Sequence, residues 1–403
     1  MTASSPPAAP GTRVSLARLT LILGALTAFT PLGVDMYLPA LPTLGREFAA
    51  AHGRIELTLS AFFLGLALGQ LLIGPLSDRF GRLKPLYIAS AVFIVASVAC
   101  AFARDVETLI VLRFVQALGC CGGLVIGRAM VRDLYPPQEM ARVFSLLMLV
   151  LGVAPILAPL LGGYMLIWFG WPSIFGFLGA IGLVVLGAAM WLLPESHRGP
   201  YQPLSLIGTL KAYAGFFRDR RFMGYTLASA LPSGGMFAYI AGSPYVFIDL
   251  HGLQPHHYAW VFGGGAFGLI GLSQLNRVLL RHFSAAEVLK VAGAVAAFCG
   301  IVLFAGAYAG LGLGFLIPGV ICTIAPMGMV MPNAGASAMA GVLGPRAGTA
   351  AALMGIIQFG CGGISSALVG ALHNGTALPM TGMIALLMTG GFVARAVLVR
   401  EED

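Results

Sequence analysis

The sequence predicts an all-α membrane protein with twelve transmembrane helices arranged as two six-helix bundles. Of its 403 residues, 58% are hydrophobic and only 9% are charged, whereas a soluble protein carries about 25% charge. Each of a dozen apolar stretches can cross a ~30 Å hydrocarbon core, which takes roughly 20 helical residues. A single long polar connection divides these stretches six and six. A soluble globular fold is therefore excluded.

The predicted spans follow in chain order and are 19–41, 57–77, 84–103, 107–130, 141–166, 171–193, 222–248, 258–280, 286–308, 311–335, 347–371 and 378–399. They define the predicted domain organisation, which is a disordered N-terminus (1–18), a first bundle (19–193), a linker (194–221) and a second bundle (222–403). Apolar residues recur at helical spacing within the linker, which predicts a short amphipathic helix on the membrane surface.

The net charge of +8 is an orientation signal. With the N-terminus inside, nineteen of the 23 Lys and Arg residues fall at cytoplasmic ends of the predicted spans, and only Arg46, Arg54 and Arg104 fall outside. Positive charge concentrates on the cytoplasmic side of membrane proteins. We therefore expect both termini in the cytoplasm, a location in the inner membrane, and no nucleic-acid partner.

The two halves also resemble each other in sequence. Residues 76–80 (LSDRF) follow the second span, and residues 279–283 (LLRHF) follow the eighth, displaced by 203 positions. Together with the division into six and six spans, this match indicates two parallel repeats, an arrangement found in transporters that rock about a central cavity.

Asp35 is the one carboxylate well inside a predicted span, and Arg113 lies inside the fourth. Charges at such positions are expensive and mark ion or substrate pathways. Both residues are about six positions, or ~9 Å, from the outer ends of their spans. Their similar depth favours pairing of Asp35 with Arg113, although a substrate or carbonyl partner would also satisfy the arginine. Snorkelling of Arg113 and a purely structural ion pair remain alternatives.

Residues 74–85, GPLSDRFGRLKP, form the strongest local motif. Gly74 and Gly81 permit close approach and a tight turn, Asp78 can cap a helix or pair with arginine, and Arg79 and Arg82 face the anionic inner leaflet. This stretch resembles the signature loop of the major facilitator superfamily.

Three further segments narrow the resemblance, namely 35–42 (DMYLPALP), 113–119 (RFVQALG) and 152–163 (GVAPILAPLLGG). Together they resemble the twelve-span drug:proton antiporters of the bicyclomycin/chloramphenicol resistance (Bcr/CflA) branch. The resemblance implies a proton-driven exporter of phenicol- or bicyclomycin-like compounds. It also implies a conformational gate in the signature loop and an exporter motif in the fifth span; the residues of that motif are Gly152, Pro155, Pro159, Gly162 and Gly163.

The predicted mechanism is competition of protons and cargo for Asp35, with Arg113 tuning the carboxylate. Candidate cargo contacts are polar or aromatic residues midway through spans, namely Tyr37, Gln116, Tyr239, Tyr245, Asn333 and Gln358. Drug exporters of this family often carry a second carboxylate deeper in the first span, where this chain has Thr27. Its absence favours neutral, zwitterionic or anionic cargo.

The same residues bear on other possible functions. An importer or uniporter of the same fold would share Asp35, but the fifth-span motif argues against it. An enzyme would need clustered catalytic groups within the spans, and a receptor would need an output domain. The chain has no Walker motif, and His251, His256 and His257 lack cysteine or carboxylate partners at metal-binding spacing apart from Asp249. We therefore expect no cofactor besides a proton gradient, no metal, and a monomer.

Overall fold

The computed structural model describes residues 16–51, 53–197, 213–340, 342 and 346–399. Helices account for nearly all of these residues, and the described ranges contain no strand. Residues 1–15 of the predicted N-terminal segment lie outside the described residues. Of the apolar positions that predict the linker helix, Leu204, Leu206, Ile207 and Leu210 also lie outside the described residues, whereas Tyr213, Ala214 and Phe217 belong to a helical stretch over 213–218.

Seven α-helices build the described first half, which are α1 (Leu16–Asp35), α2 (Leu41–Glu47), α3 (Leu57–Phe80), α4 (Leu83–Cys100), α5 (Val106–Leu134), α6 (Pro137–Phe169) and α7 (Trp171–Leu192). Seven more build the second half from residue 220 onward, which are α8 (Arg220–Pro244), α9 (Pro255–Leu279), α10 (Ala285–Tyr308), α11 (Leu313–Ile324), α12 (Met327–Met339), α13 (Arg346–Ala371) and α14 (Leu378–Leu398).

The helices confirm the twelve-span prediction. Ten segments are long and apolar enough to cross a membrane when α1 with α2 and α11 with α12 each count as one. The remaining two predicted spans correspond to α8 and α9, which have 25 residues each. Small and polar residues lower the mean hydropathy of both helices, among them Ser229, Ser233, Gly234 and Gly235 in α8 and Ser273, Gln274 and Asn276 in α9.

The first and tenth spans are interrupted, which the sequence prediction did not include. α1 stops at Asp35, a 3₁₀ turn follows at Leu38–Ala40, and α2 then begins. Pro39 and Pro42 stand at the starts of the turn and of α2. Proline has no N–H to donate to the preceding turn of a continuous helix, so the chain restarts at each one.

The two halves meet along two helix pairs, α3 with α13 and α6 with α9. The polar contacts between the halves include an ion pair and a hydrogen bond. Arg46 Nη1 lies 2.8 Å from Asp249 Oδ1, and Ser60 Oγ donates to the Gly363 carbonyl. Both lie toward the end of the bundle that holds Arg46, here called the Arg46 end. The opposite end holds Arg82 and is called the Arg82 end.

Glycines bring the backbones of α3 and α13 close together. A Cβ on Gly363 would approach the Ser60 carbonyl to 3.2 Å, and one on Gly355 would collide with the Gln70 side chain. Gly53 and Gly370 touch through their backbones at the Arg46 end. At these points the α13 backbone lies directly against side chains that α3 presents, Leu64 at Gly363 and Gln70 at Gly355.

Candidate functional site

A cavity of about 230 Å³ lies between the two halves. Its wall comes from α1, α3 and α6 of the first half and from α8, α9, α11 and α13 of the second. Most of the wall is apolar, and its aromatic and methionine side chains are Phe63, Met236, Phe237, Phe262 and Phe359. Thr30, Asp35 and Tyr239 contribute the polar groups. Such a cavity suits a small, largely apolar organic molecule.

Asp35 is the last residue of α1, and its side chain lines this cavity. It is 4% exposed, and its carboxylate has no hydrogen bond or ion pair among the described residues. The nearby Tyr239 ring lies against Phe262, and the buried Tyr239 hydroxyl also lacks a partner. Burial and the negative end of the α1 dipole both make an ionised carboxylate costly at this position. The pair of unpartnered groups faces the space where a proton or a cargo molecule can bind.

Arg113 is fully buried in the first half and does not pair with Asp35. Its Nη2 donates to the Gly33 carbonyl at 2.8 Å, and its Nη1 donates to Gln116 Oε1 at 2.5 Å. The guanidinium also lies 4.3 Å from the ring centres of both Tyr37 and Phe62. The ion pair favoured by membrane depth is thus wrong for this conformation, because a carbonyl, an amide oxygen and two aromatic faces contact the cation instead, with the buried Nε left without a hydrogen bond within the described ranges.

This arrangement makes Arg113 a positioning group for the first span. A cation at the last turn of a helix offsets the negative end of its dipole. Arg113 binds the carbonyl of Gly33, two residues before Asp35, and so holds the turn that carries the carboxylate.

Of the six predicted cargo contacts, Tyr239 lines the cavity. Tyr37 and Gln116 are fully buried beside Arg113, where Tyr37 bonds Thr58 and Gln116 donates to Ser97. These hydrogen bonds hold both side chains inside the first half, away from the cavity wall of this conformation.

The other three predicted contacts lie in the second half. Tyr245 is at the Arg46 end with its ring 4.3 Å from that of His373. Asn333 donates to Asn276 at 2.7 Å, and Gln358 donates to Ser233 at 2.8 Å beside the cavity residue Phe359. For all six residues, a role in binding cargo stays a prediction.

The motif residues of α6 face the cavity, the break in the first span and α9, and their predicted role in export stays a prediction. Gly152 and Pro155 line the cavity, and Pro159 follows one turn later within the same helix. A Cβ on Gly162 would overlap the Met36 carbonyl, so the helix approaches the break in the first span more closely than any other residue allows. Gly163 faces α9 across the interface, with an added Cβ 3.5 Å from the Pro255 carbonyl.

The signature loop is held by a charged network at the Arg82 end. Arg82 is 4% exposed and donates to Asp78 at 2.5 Å and to Asp133 at 2.9 Å. Burial alone would lower the pKa of the Arg82 guanidinium, but these two carboxylates raise it above its ordinary value. Glu195 accepts the backbone N–H of Arg82 at 2.9 Å, and Gly81 turns the chain with φ +83°. The loop is thereby fastened to α5 and to the end of α7.

Two signature-loop residues lie outside this network. Arg79 stacks on the exposed ring of Phe80, with 5.3 Å between guanidinium and ring centre. Gly74 has open space where a Cβ would stand. The gating role of this loop stays a prediction.

The sequence interpretation missed the aromatic wall of the cavity. An apolar residue in a span looks the same whether it faces lipid, a helix or a cavity. The repeat displacement of 203 offers one signal, because it relates Val34 to Phe237 and Phe63 to Ala266, and all four line the cavity.

Comparison with known proteins identifies the fold and family. Residues 23–370 match the family model described as Major Facilitator Superfamily. The chain belongs to this superfamily. It is therefore a membrane-embedded transporter of small molecules rather than an enzyme. The fold agrees with a solved structure of the xylose transporter XylE from E. coli in a partially occluded inward-open conformation, with a TM-score of 0.72, 13% identity, and coverage of 94% of this chain and 96% of that one.

Three relatives cover much of the chain. The uncharacterized MFS-type transporter YdgK of Bacillus subtilis is 35% identical over 95% of this chain and 96% of its own length. The bicyclomycin resistance protein homolog of Haemophilus influenzae is 30% identical over 89% and 90%. The chloramphenicol resistance protein of Pseudomonas aeruginosa is 31% identical over 70% and 68%. The resemblance to the bicyclomycin/chloramphenicol resistance branch is thereby confirmed.

Proposed function

We propose that this transporter exports small, largely uncharged organic compounds in exchange for protons. The observation that carries the proposal is the unpartnered carboxylate of Asp35 in an otherwise apolar cavity wall. Among the residues that line the cavity, Asp35 is the one acidic group. An ionised carboxylate there is costly, so the empty site favours a proton.

The chemistry of the cavity supports neutral cargo. A ring of aromatic and methionine side chains offers apolar contact, while Asp35 and Tyr239 supply two polar groups to orient a molecule. Chloramphenicol and bicyclomycin are uncharged, and two relatives carry resistance to those antibiotics in their names. We assign the exporter role to this chain on that basis.

The energetics of one proton per cycle suffice for export. Each inward proton releases about 2.3 kcal/mol per 100 mV of membrane potential and about 1.4 kcal/mol per pH unit. Since 1.4 kcal/mol corresponds to a tenfold gradient, one proton sustains a cargo gradient of order a hundredfold. No cofactor besides the proton gradient is required, and a monomer suffices because the cavity is built from one chain.

The orientation that export requires places both termini and the Arg82 end in the cytoplasm. The distribution of lysine and arginine supports this assignment. In this orientation, the contacts at Arg46 and Asp249 close the outer side. The cavity in this conformation then receives cargo from the cytoplasm, and opening of the Arg46 end exposes Asp35 to the outside, where a new proton binds.

The decisive experiment compares the intact protein with Asp35→Asn in an efflux-deficient host and in proteoliposomes. We expect Asp35→Asn to abolish drug protection and pH-driven accumulation of chloramphenicol or bicyclomycin, while exchange of cargo across vesicles without a gradient continues. Asp105→Asn is the matched control, since Asp105 caps α5 outside the cavity and asparagine caps equally well. Equal pH-driven accumulation by wild type and Asp35→Asn would refute proton coupling at this residue.

A second variant tests the positioning role of Arg113. We expect Arg113→Ala to shift the pH optimum of transport, because the turn that carries Asp35 loses its anchor at Gly33. An unchanged pH profile in a folded Arg113→Ala protein would remove Arg113 from the coupling mechanism. Proton-coupled import would instead appear as accumulation of cargo on the side toward which protons flow.

A further inference from the structure

A second, larger cleft lies on the outside of the first half, between α1 and α6 at the Arg82 end. Its volume is about 710 Å³. Leu21, Gly24, Ala25 and Ala28 of α1 form one wall, and α6 forms the other. The small side chains at positions 24, 25 and 28 leave the room that the cleft occupies.

The cleft faces away from the central cavity. Leu146 lines the cleft and Pro155 lines the cavity, and they are nine residues apart on α6. At about 100° per residue, this separation puts them on opposite faces of the helix. Leu21 is 74% exposed and Leu149 is 57% exposed, as expected for side chains that meet lipid.

Polar groups gather at one end of this apolar cleft. The hydroxyls of Thr20 and Tyr135 lie 2.9 Å apart, and Glu139 and Arg142 line the same end. Glu139 and Arg142 are one helical turn apart, which brings their Cβ atoms within about 5–6 Å. Both are exposed, and neither forms an ion pair with any other described residue.

We propose that this cleft binds one phospholipid whose head group carries both a phosphate and an ammonium. Arg142 binds the phosphate, Glu139 binds the ammonium, and the Thr20–Tyr135 pair lies at the level of the ester groups. One acyl chain follows the small-residue wall from Leu21 to Ala28. Seven residues of helix span ~10 Å, enough for the upper part of a chain.

The separation of charge at the rim favours a zwitterionic head group. A purely anionic lipid would meet Arg142 favourably but would be repelled by Glu139. A lipid with phosphoethanolamine satisfies both charges at once, which is the complementarity that confers specificity on polar contacts. The proposal also agrees with the Arg82 end lying at the inner leaflet, but binding can be measured without any transport.

The experiment is native mass spectrometry of the purified protein titrated with phosphatidylethanolamine or with phosphatidylglycerol of the same acyl chains. We expect one phosphatidylethanolamine to bind about fivefold more tightly than phosphatidylglycerol, as loss of one partly exposed charge contact predicts. The double variant Glu139→Gln, Arg142→Gln should lose this preference. Ala25→Leu, which fills the cleft, should weaken both lipids.

Gly187→Leu is the matched control for filling, because Gly187 is exposed on α7 with open space around it. It should bind lipid as the wild type does. Monodisperse size-exclusion profiles establish that each variant is folded, and the two charge changes are at exposed positions that folding tolerates. Equal binding of the two lipids by the wild type, or an unchanged preference in the double variant, would overturn the proposal. Displacement of the lipid by chloramphenicol would assign the cleft to cargo instead and would equally overturn it.

Discussion

Arg46 and Asp249 form an ion pair of 2.8 Å between residues exactly one repeat apart, since 203 positions separate them. The same displacement relates the signature loop to residues 279–283. The contact therefore joins equivalent positions of the two halves, on the axis that relates them, and it closes the Arg46 end. Two opposite charges at equivalent positions can pair only across that axis.

The two partners of this contact should respond differently to mutation. Burial raises the pKa of Asp249, and the neighbouring Arg46 lowers it only in part, so the carboxylate still titrates above its ordinary value. The closed state thus binds a proton at Asp249 more readily than an open, hydrated state does, and falling pH favours closure. We expect Arg46→Ala to raise the ratio of open to closed molecules at the Arg46 end by up to about fivefold, as loss of a partly exposed ion pair allows. Asp249→Asn should keep this end closed.

Spin labels at Arg104 and Thr376, both exposed at this end, would measure the distance between the halves by pulsed electron resonance. If Asp249→Asn opened this end as much as Arg46→Ala does, burial would not be the larger influence on the pKa of Asp249. Lys at position 46 preserves the charge and is the control, since it should leave the distance distribution near that of the wild type.

The close approach of α6 to the broken first span predicts a severe effect at Gly162. An alanine there would drive its Cβ into the Met36 carbonyl, and overpacking of this kind costs typically 1–3 kcal/mol. We expect Gly162→Ala to lower the melting temperature by several degrees and to abolish transport, because Met36 adjoins Asp35. Gly176→Ala, with open space around it, should behave as wild type in scanning fluorimetry. Similar melting of both variants would argue against the close approach.

The unpartnered hydroxyl of Tyr239 predicts a loss of cargo affinity without a loss of stability. Removing a buried polar group that has no hydrogen bond costs the fold little, whereas a bound molecule that uses it loses about 1 kcal/mol. We expect Tyr239→Phe to raise the KM for cargo several-fold and to keep the wild-type melting temperature. Tyr258→Phe is the control, because that hydroxyl already bonds Ser243 at 2.9 Å. An unchanged KM for Tyr239→Phe would remove this hydroxyl from the cargo site.

Glu195 predicts a pH-dependent contribution to stability. Burial raises the pKa of its carboxyl, but the backbone N–H groups of His197, Arg82 and Leu83 more than offset this and hold it below the ordinary value of 4.5. A depressed pKa stabilises the fold above pH 4.5, and the contribution disappears as pH falls through the folded value. We expect Glu195→Gln to cost about 1 kcal/mol at pH 7, as loss of a helix cap does, and to cost less at pH 3, where the carboxylate is closer to its folded pKa.

Thermal unfolding at both pH values would test this expectation. Glu107→Gln serves as the comparison, because Glu107 makes an exposed ion pair with Arg54 that should contribute little. A deficit of Glu195→Gln that is equal at both pH values would mean that the carboxylate charge is not what fastens the loop.

The positions of the helices were predictable because length and hydropathy report directly on bilayer crossing. The break after Asp35 was not predicted, since Met36, Tyr37 and Leu38 continue the apolar run, although Pro39 and Pro42 mark where the chain restarts. Residue depth placed Asp35 and Arg113 at one level but could not give the rotation of their helices. That rotation decides that Arg113 meets Gly33 and aromatic faces, whereas Asp35 meets the cavity.

Three glycines of α13 lie where the two halves meet but outside the cavity. The side chains of Gln70 and Leu64 pack directly against Gly355 and Gly363, and Gly370 meets the backbone of Gly53. Larger residues at these positions would collide with the first half. None of the three glycines lines the cavity. Substitutions at these glycines would therefore change how the two halves fit together without changing the groups that line the cavity.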